Sequence, residues 1–203
     1  MGDVVFSRAS LADAELPPYP GIGLNRITLV NSAALAEAAR AVLMTVDAVG
    51  FDTESKPTFQ KGEISTGPHL VQLATDQRTY LFPVVRDEVW PVLKAVLESP
   101  GLIKAGFGLG NDRSALKSRL GISLNNVLDL GELLRGPGHR GTVGAKVAVA
   151  HYFGQKLQKS KKTGTSNWAN LQLTERQLLY AANDAHAALQ IYRVWAQDRA
   201  PLG

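Results

Sequence analysis

The chain has 203 residues, of which 45% are hydrophobic and 20% are charged, and it contains no cysteine. This composition is that of one globular domain with room for a sizeable core, and it excludes a disordered or fibrous chain. Without cysteine there are no disulfides, thiolate zinc sites or cysteine nucleophiles, so any metal must be bound by oxygen or imidazole. The net charge of +4 and the pI near 9.4 weakly favour a polyanionic partner.

The hydropathy and the N-terminus do not predict a membrane protein. No apolar run approaches the roughly eighteen residues that a membrane span needs. The segment Met1–Val4 lacks the basic region of a secretory signal, and Phe6 does not match the myristoylation motif. We therefore expect a cytoplasmic protein without membrane partners.

Strands and helices alternate along most of the chain. Residues 1–25 are rich in proline and glycine and form a predicted N-terminal extension, followed by one domain over residues 26–199. The predicted strands are 27–30, 46–54, 69–73, 79–82, 102–105 and 127–129. The predicted helices are 32–44, 90–98, 111–120 and 174–197. This order indicates an α/β fold, with a mixed β-sheet flanked by helices on both faces.

Two carboxylates end the second predicted strand. Asp52 and Glu54 are two residues apart, so both side chains point to the same face of the strand. Neighbouring carboxylates repel each other unless a cation neutralises them, and Mg²⁺ and Mn²⁺ prefer oxygen ligands of this kind. Taken alone, an Asp-x-Glu is more often an acidic loop at a strand end.

Two further acids lie on predicted helices. Tyr180 and Asp184 are four residues apart on one face of an otherwise apolar helix, where an aspartate should be paired or bind metal. Asp112 lies in the first turn of the helix that follows strand 102–105. There an acid also favours the helix dipole whatever its function, so neither position alone establishes a site.

Together these residues resemble the three exonuclease motifs of the DEDD superfamily. The motifs are Phe51–Glu54, Gly110–Leu116 and Tyr180–Asp184, and a tyrosine four residues before the last aspartate marks the DEDDy branch. The chain is similar to DEDDy-type 3′–5′ exonucleases of the RNase D group, including the exonuclease domain of the Werner-syndrome protein and its bacterial stand-alone relatives. The resemblance covers residues 26–195, with further matching segments at Leu70–Leu73, Ser166–Trp168 and Leu173–Glu175.

The resemblance implies a ribonuclease H-like fold and a two-metal-ion hydrolase. Asp52 would bridge two divalent ions, Mg²⁺ or Mn²⁺, and Glu54 and Asp184 would complete one metal site. Asp112 would support the other site, and Tyr180 would orient the attacking water. The expected substrate is DNA or RNA with a free 3′ end, with DNA slightly favoured, and the expected products are nucleoside 5′-monophosphates. We expect the enzyme to act as a free-standing domain or to borrow targeting from a partner.

Candidate substrate contacts precede the third motif. Lysines crowd the segment 156–164, which reads equally well as a solvated loop and as a phosphate-binding loop. Trp168 could stack on a base, although a tryptophan before an apolar helix is more often part of the core. The four histidines show no ligand spacing. The candidate substrate-binding residues are Lys156, Lys159, Lys161, Lys162 and Trp168.

Two other functions compete with the exonuclease interpretation. Gly106, Gly108 and Gly110 follow a strand and open a helix, with Asp129 downstream, which is close to the layout of a dinucleotide-binding domain. The third glycine position is Asn111, however, and Asp112 would repel a pyrophosphate at that helix N-terminus. The other alternative is a nucleic-acid-binding module of the same fold that has lost catalysis. The presence of every expected ligand and of Tyr180 argues against it.

Overall fold

A six-stranded mixed sheet forms the centre of the molecule. The computed structural model describes residues 15–58, 62–135 and 141–199. The strands lie in the order β1-β4-β3-β2-β5-β6, and all six occur where the sequence predicts strands. Their bounds are β1 Ile27–Leu29, β2 Ala48–Glu54, β3 Leu70–Ala74, β4 Thr79–Pro83, β5 Ile103–Gly106 and β6 Val127–Asp129.

The β3–β4 hairpin makes the sheet mixed. β3 pairs antiparallel with both β2 and β4, and Asp52 of β2 lies directly opposite Gln72 of β3. β1 pairs parallel with β4, while β2, β5 and β6 run parallel to one another. β2 is therefore an interior strand, bonded on both sides, and its C-terminal end carries the first two predicted ligands.

Seven helices surround the sheet in the described residues. They are α1 Ala33–Leu43, α2 Trp90–Glu98, α3 Gly110–Leu120, α4 Leu130–Leu133, α5 Ala145–Phe153, α6 Lys161–Gly164 and α7 Glu175–Gln197, with 3₁₀ turns at Leu24–Arg26 and Asp87–Val89. The Ser32 side chain caps α1 by accepting from the Leu35 amide, and Thr174 forms a capping box with Gln177 at the start of α7. No described helix has both the length and the apolar character needed to cross a membrane.

The alternation of side chains along β2 divides the core into two layers. Val49 and Phe51 pack with residues of α1 and α2 on one face, whereas Ala48 packs with α5 and α7 on the other. Asp52 and Glu54 share the parity of Ala48, so they face α7. The predicted cover of helices on both faces is thus confirmed, and it directs the two acids toward the C-terminal helix.

A glycine lets α7 lie directly on β2. A Cβ atom on Gly50 would overlap the carbonyl oxygen of Ala185 and lie 3.1 Å from the Cβ of Leu189. Only a residue without a side chain allows this backbone approach. The close crossing sets the height of α7 above the strand, and hence the distance from Asp184 to Asp52.

The lysine-rich segment contains a helical turn and a buried side chain, so it is not a fully solvated loop. Ser160 caps the single turn α6 by accepting from the Thr163 amide, and Leu157 is 3% exposed within the core. Part of the N-terminal extension lies against this segment, through a parallel bridge between Pro18 and Lys156. Residues 1–14 of the extension lie outside the described residues.

Candidate active site

Three of the four predicted ligands meet at one point. Asp52 and Glu54 from β2 and Asp184 from α7 each offer a carboxylate oxygen, and these oxygens lie within 4.8 Å of one another. Asp52 and Asp184 are 132 residues apart in the sequence (184 − 52). The carboxylates that the sequence spacing placed on one face of a strand and one face of a helix therefore form a single cluster of oxygen donors.

The cluster carries unfavourable charge in the absence of a cation. Burial and the neighbouring Asp184 raise the pKa of Asp52 to about 8. Burial, together with Asp52 and Asp184, raises the pKa of Glu54 to about 9. Burial also raises the pKa of Asp184, although Lys159 opposes the shift. Carboxylates that are hard to ionise together provide a strong binding site for a divalent cation.

Lys159 is the cation closest to this cluster among the described residues. Its Nζ atom lies 2.8 Å from Oδ2 of Asp184 and 5.9 Å from the centre of the Tyr180 ring. Burial acts to lower the pKa of Lys159, but Asp184 and Asp52 outweigh it and raise the pKa above its usual value. The structure thus separates Lys159 from the other predicted lysine contacts, because Lys156, Lys161 and Lys162 are exposed.

Tyr180 lies one turn before Asp184 and is packed against two neighbours. A Cβ atom on Gly164 would lie 2.7 Å from the Tyr180 hydroxyl, so the turn of α6 touches the phenol directly. The Trp168 ring is a second neighbour, 5.9 Å from the Tyr180 ring between centres. Burial, followed by the charge of Asp184, raises the pKa of Tyr180 to about 12. The phenol therefore keeps its proton even in alkaline solution and can donate a hydrogen bond.

The structure corrects the stacking role considered for Trp168. This side chain is 2% exposed, and its indole nitrogen donates to the Gly164 carbonyl at 3.1 Å. It packs in a small core cluster with Leu70, Leu81 and Ala181. A base cannot stack on a ring without an open face, so Trp168 acts on the site by supporting Tyr180 and the α6 turn.

Asp112 stands beside the cluster and outside it. Its carboxylate accepts a hydrogen bond from the hydroxyl of Thr53, the residue between Asp52 and Glu54 that points to the opposite face of β2. Burial raises the pKa of Asp112, and the Thr53 bond opposes this shift. Thr53 was missed in the sequence because its contact joins residues 59 positions apart. A threonine between two predicted ligands is the only local signal.

Asp129 organises the glycine turn that precedes α3. Its carboxylate accepts from the amides of Gly108 at 3.2 Å and Leu109 at 2.8 Å. Gly108 has φ +69°, a left-handed conformation that favours glycine. The acid that completed the layout of a dinucleotide-binding domain is therefore hydrogen-bonded to the turn itself. This arrangement supports the tight-turn interpretation and removes the main argument for a dinucleotide-binding domain.

Gln72 adds a further polar group next to Asp52. It lies opposite Asp52 in the β2–β3 register and is fully buried. Neither its amide nitrogen nor its amide oxygen has a hydrogen-bond partner among the described residues. Buried amides are normally satisfied by protein or ordered water. An orphaned amide beside three crowded carboxylates fits a site that binds a hydrated divalent cation.

Replacing Lys159 with glutamine is expected to destabilise the metal-free protein. The expected decrease in the free energy of unfolding is about 1–3 kcal/mol, because the buried Asp184 carboxylate would lose its ion-pair partner. The partial exposure of Lys159 keeps the decrease below that of a fully buried pair. Saturating Mn²⁺ should recover most of this loss, since the added cation neutralises the same carboxylates. Thermal melts with EDTA and with Mn²⁺ measure both quantities. The matched control is Lys162→Gln on the same segment, and an equal loss in that variant would contradict the explanation.

Comparison with solved structures identifies the fold. The chain superposes on the EXO domain of Nibbler from Aedes aegypti with a TM-score of 0.72 and 28% identity, covering 87% of this chain and 89% of that domain. It superposes on RNase D from Escherichia coli with a TM-score of 0.73 and 23% identity, covering 85% of this chain and 44% of that one. The sheet is thus the ribonuclease H-like sheet of exonuclease domains.

Comparison of sequences then identifies the family. A family model described as 3′-5′ exonuclease (DNA_pol_A_exo1) matches residues 27–195, so the chain belongs to the 3′-5′ exonuclease family. It is 31% identical over 188 residues to the bifunctional 3′-5′ exonuclease/ATP-dependent helicase WRN of Mus musculus, covering 91% of this chain and 13% of that protein. The chain therefore spans only part of this longer relative.

Proposed function

We propose that the chain is a two-metal-ion 3′–5′ exonuclease of the DEDDy type. It hydrolyses the terminal phosphodiester bond of a nucleic acid with a free 3′ end and releases nucleoside 5′-monophosphates. The observation that carries the proposal is the convergence of Asp52, Glu54 and Asp184 within 4.8 Å, in a chain whose residues 27–195 match the exonuclease family.

The donor set fits hard divalent cations. All the candidate ligands are carboxylates, and the chain contains no cysteine, which favours Mg²⁺ or Mn²⁺ over softer metals. Such ions would be held by Asp52, Glu54, Asp184 and Asp112, and they would supply the activation of water and the stabilisation of the leaving 3′ oxygen. Asp112 stands outside the three-residue cluster, and its Thr53 bond orients it toward β2.

The chain's own residues supply orientation and charge. Tyr180 is protonated at neutral pH, and its pKa, raised to about 12, keeps it so in alkaline solution. Its hydroxyl orients the attacking water or a phosphate oxygen by donating a hydrogen bond. Lys159 lies beside both Tyr180 and Asp184. We infer that its ammonium contacts the scissile phosphate of a bound strand.

Either nucleic acid is a candidate substrate. The resemblance to the Werner-type domain favours DNA. On the other side, the E. coli neighbour is described as an exoribonuclease involved in structured RNA processing, and an RNase D of Trypanosoma brucei was solved in complex with RNA U12. The carboxylate chemistry acts on the phosphate and does not depend on the sugar, so the assay below compares DNA with RNA.

The test is a time course on 5′-labelled single-stranded DNA and RNA of the same sequence. Each oligonucleotide is supplied with a free 3′ hydroxyl and with a blocked 3′ end, and each reaction is run with Mg²⁺, Mn²⁺ or EDTA. We expect a ladder that shortens from the 3′ end with metal only, and only on unblocked substrate. The rates on DNA and RNA give the preferred polymer.

Other outcomes would overturn the proposal. Cleavage that persists in EDTA would contradict the metal-dependent mechanism. Internal cuts on blocked substrate would indicate an endonuclease. Binding without shortening on single strands and on duplexes with recessed 3′ ends would indicate a binding module of the same fold.

A further inference from the structure

A cleft lies next to the carboxylate cluster. It has a volume of about 880 Å³ and lies between the N-terminal extension, the segment 156–160 and the exposed side of α7. Lys159 and Tyr180 line it, so the cleft and the carboxylate cluster share a wall. The residues that carry the argument below are Tyr19, Lys146, Lys156, Lys159, Arg176 and Tyr180.

The wall of the cleft is built by specific contacts. The backbone of Lys156 donates to the Pro17 carbonyl at 2.8 Å and accepts from the Tyr19 amide at 3.0 Å. The Ile22 amide donates to the side chain of Asn183 on α7 at 2.7 Å. Tyr19 also bonds through its hydroxyl to His186 Nδ1 at 3.0 Å. These contacts hold the extension, the lysine segment and α7 in one arrangement before any ligand binds.

The lining of the cleft has an excess of positive charge. Lys146, Lys156 and Arg176 are exposed there, and within the described ranges none of the three forms an ion pair. The Lys146 ammonium donates to the carbonyl of Lys159 at 3.2 Å, and its charge also acts on Asp184 from a longer distance. Glu175 is the single acidic residue in the lining. Exposed cations that outnumber the acidic groups lining a concavity attract an anion.

We propose that this cleft is a second phosphate-binding site, which takes the phosphate group of a nucleotide through Lys146, Lys156 and Arg176. The positive charges of the cleft predict a phosphate ligand. The inference that this phosphate is part of a nucleotide rests on the proposed function. Two ligands of the proposed enzyme carry such a phosphate group. It belongs either to the released mononucleotide, whose phosphate leaves the cluster past Lys159 and Tyr180, or to the backbone of the bound strand.

Binding in EDTA tests the cleft apart from catalysis. Deoxyadenosine 5′-monophosphate, deoxyadenosine and a short oligothymidylate are titrated by calorimetry into wild-type protein and into the Lys156→Gln/Arg176→Gln double variant. We expect the phosphate-bearing ligands to bind the wild type, and the double variant to bind at least one of them about five- to thirtyfold more weakly. Deoxyadenosine should not bind measurably.

The matched control removes the same charges from the other face of the sheet. Arg40→Gln/Lys94→Gln changes exposed positions on α1 and α2 and should alter binding less than about twofold. A loss for the mononucleotide identifies the product as the ligand, and a loss confined to the oligonucleotide identifies the strand. No binding by the wild type, or equal losses in the two double variants, overturns the proposal. The exonuclease time course is scored separately, so failure of one leaves the other standing.

Discussion

Replacing Asp52 with asparagine is expected to lower exonuclease activity by at least about 10³-fold, which corresponds to about 4 kcal/mol of transition-state stabilisation. Asp52 belongs to the cluster, with a carboxylate oxygen within 4.8 Å of the oxygens of Glu54 and Asp184. The amide has nearly the same shape but lacks the charge that holds a divalent cation. Single-turnover rates at saturating Mn²⁺ measure the effect.

The same change should stabilise the metal-free protein at neutral pH. The folded pKa of Asp52 is raised to about 8 from a usual value of 3.8, so the folded protein binds this proton more tightly than the unfolded chain. The stability of the wild type without metal therefore falls as the pH rises between about 4 and 8. The asparagine side chain of the Asp52→Asn variant carries no such proton, and the melting temperature of the variant should depend less on pH over this range.

The two readouts together distinguish a ligand from a structural residue. The control is Asp87→Asn, an exposed change in the turn before α2, which should leave both activity and the pH profile unchanged. A loss of activity accompanied by a lower melting temperature in EDTA would show that Asp52 supports the fold, and would contradict its assignment as a metal ligand.

Replacing Gly50 with alanine is expected to damage both stability and activity. The added Cβ would overlap the carbonyl oxygen of Ala185, and backbone atoms cannot move aside as a flexible side chain can. Overpacking of this kind costs about 1–3 kcal/mol or more. Because α7 must lift from β2 to relieve the overlap, Asp184 and Tyr180 move with it, and we expect at least about a hundredfold loss of activity.

Chemical denaturation and initial rates check this prediction, with Gly101→Ala as the matched control. A Cβ on Gly101 would meet no atom within 4 Å, so that variant should keep wild-type stability to within about 0.5 kcal/mol. If Gly50→Ala were as stable and as active as Gly101→Ala, the close crossing of α7 over β2 would not set the geometry of the site.

The regular elements and the ligand cluster were predictable because both depend on short-range patterns. The two-residue spacing of Asp52 and Glu54 placed them on one face of β2, and the four-residue spacing of Tyr180 and Asp184 placed them on one face of α7. Thr174 marked the start of that helix by its capping preference, and it forms the capping box in the structure. Periodicity carries such information within a single element.

The remaining parts of the site depend on contacts between distant segments. The sequence could not show that Lys159, among several neighbouring lysines, pairs with Asp184. A run of lysines does not indicate which of them is buried. The bond from Thr53 to Asp112 and the hold of Asp129 on the glycine turn likewise join separate elements. Such pairs emerge only when the sheet order is known.

Because β2 and α7 both contribute to the cluster, the three carboxylates come together only when the C-terminal helix is in place. During synthesis, β2 leaves the ribosome before α7 does, so a chain that ends before α7 contains Asp52, Glu54 and Asp112 but lacks Tyr180 and Asp184. A protease that removes α7 has the same effect. Under the proposed function, activity therefore also requires that β2 and α7 have both been made and have packed together.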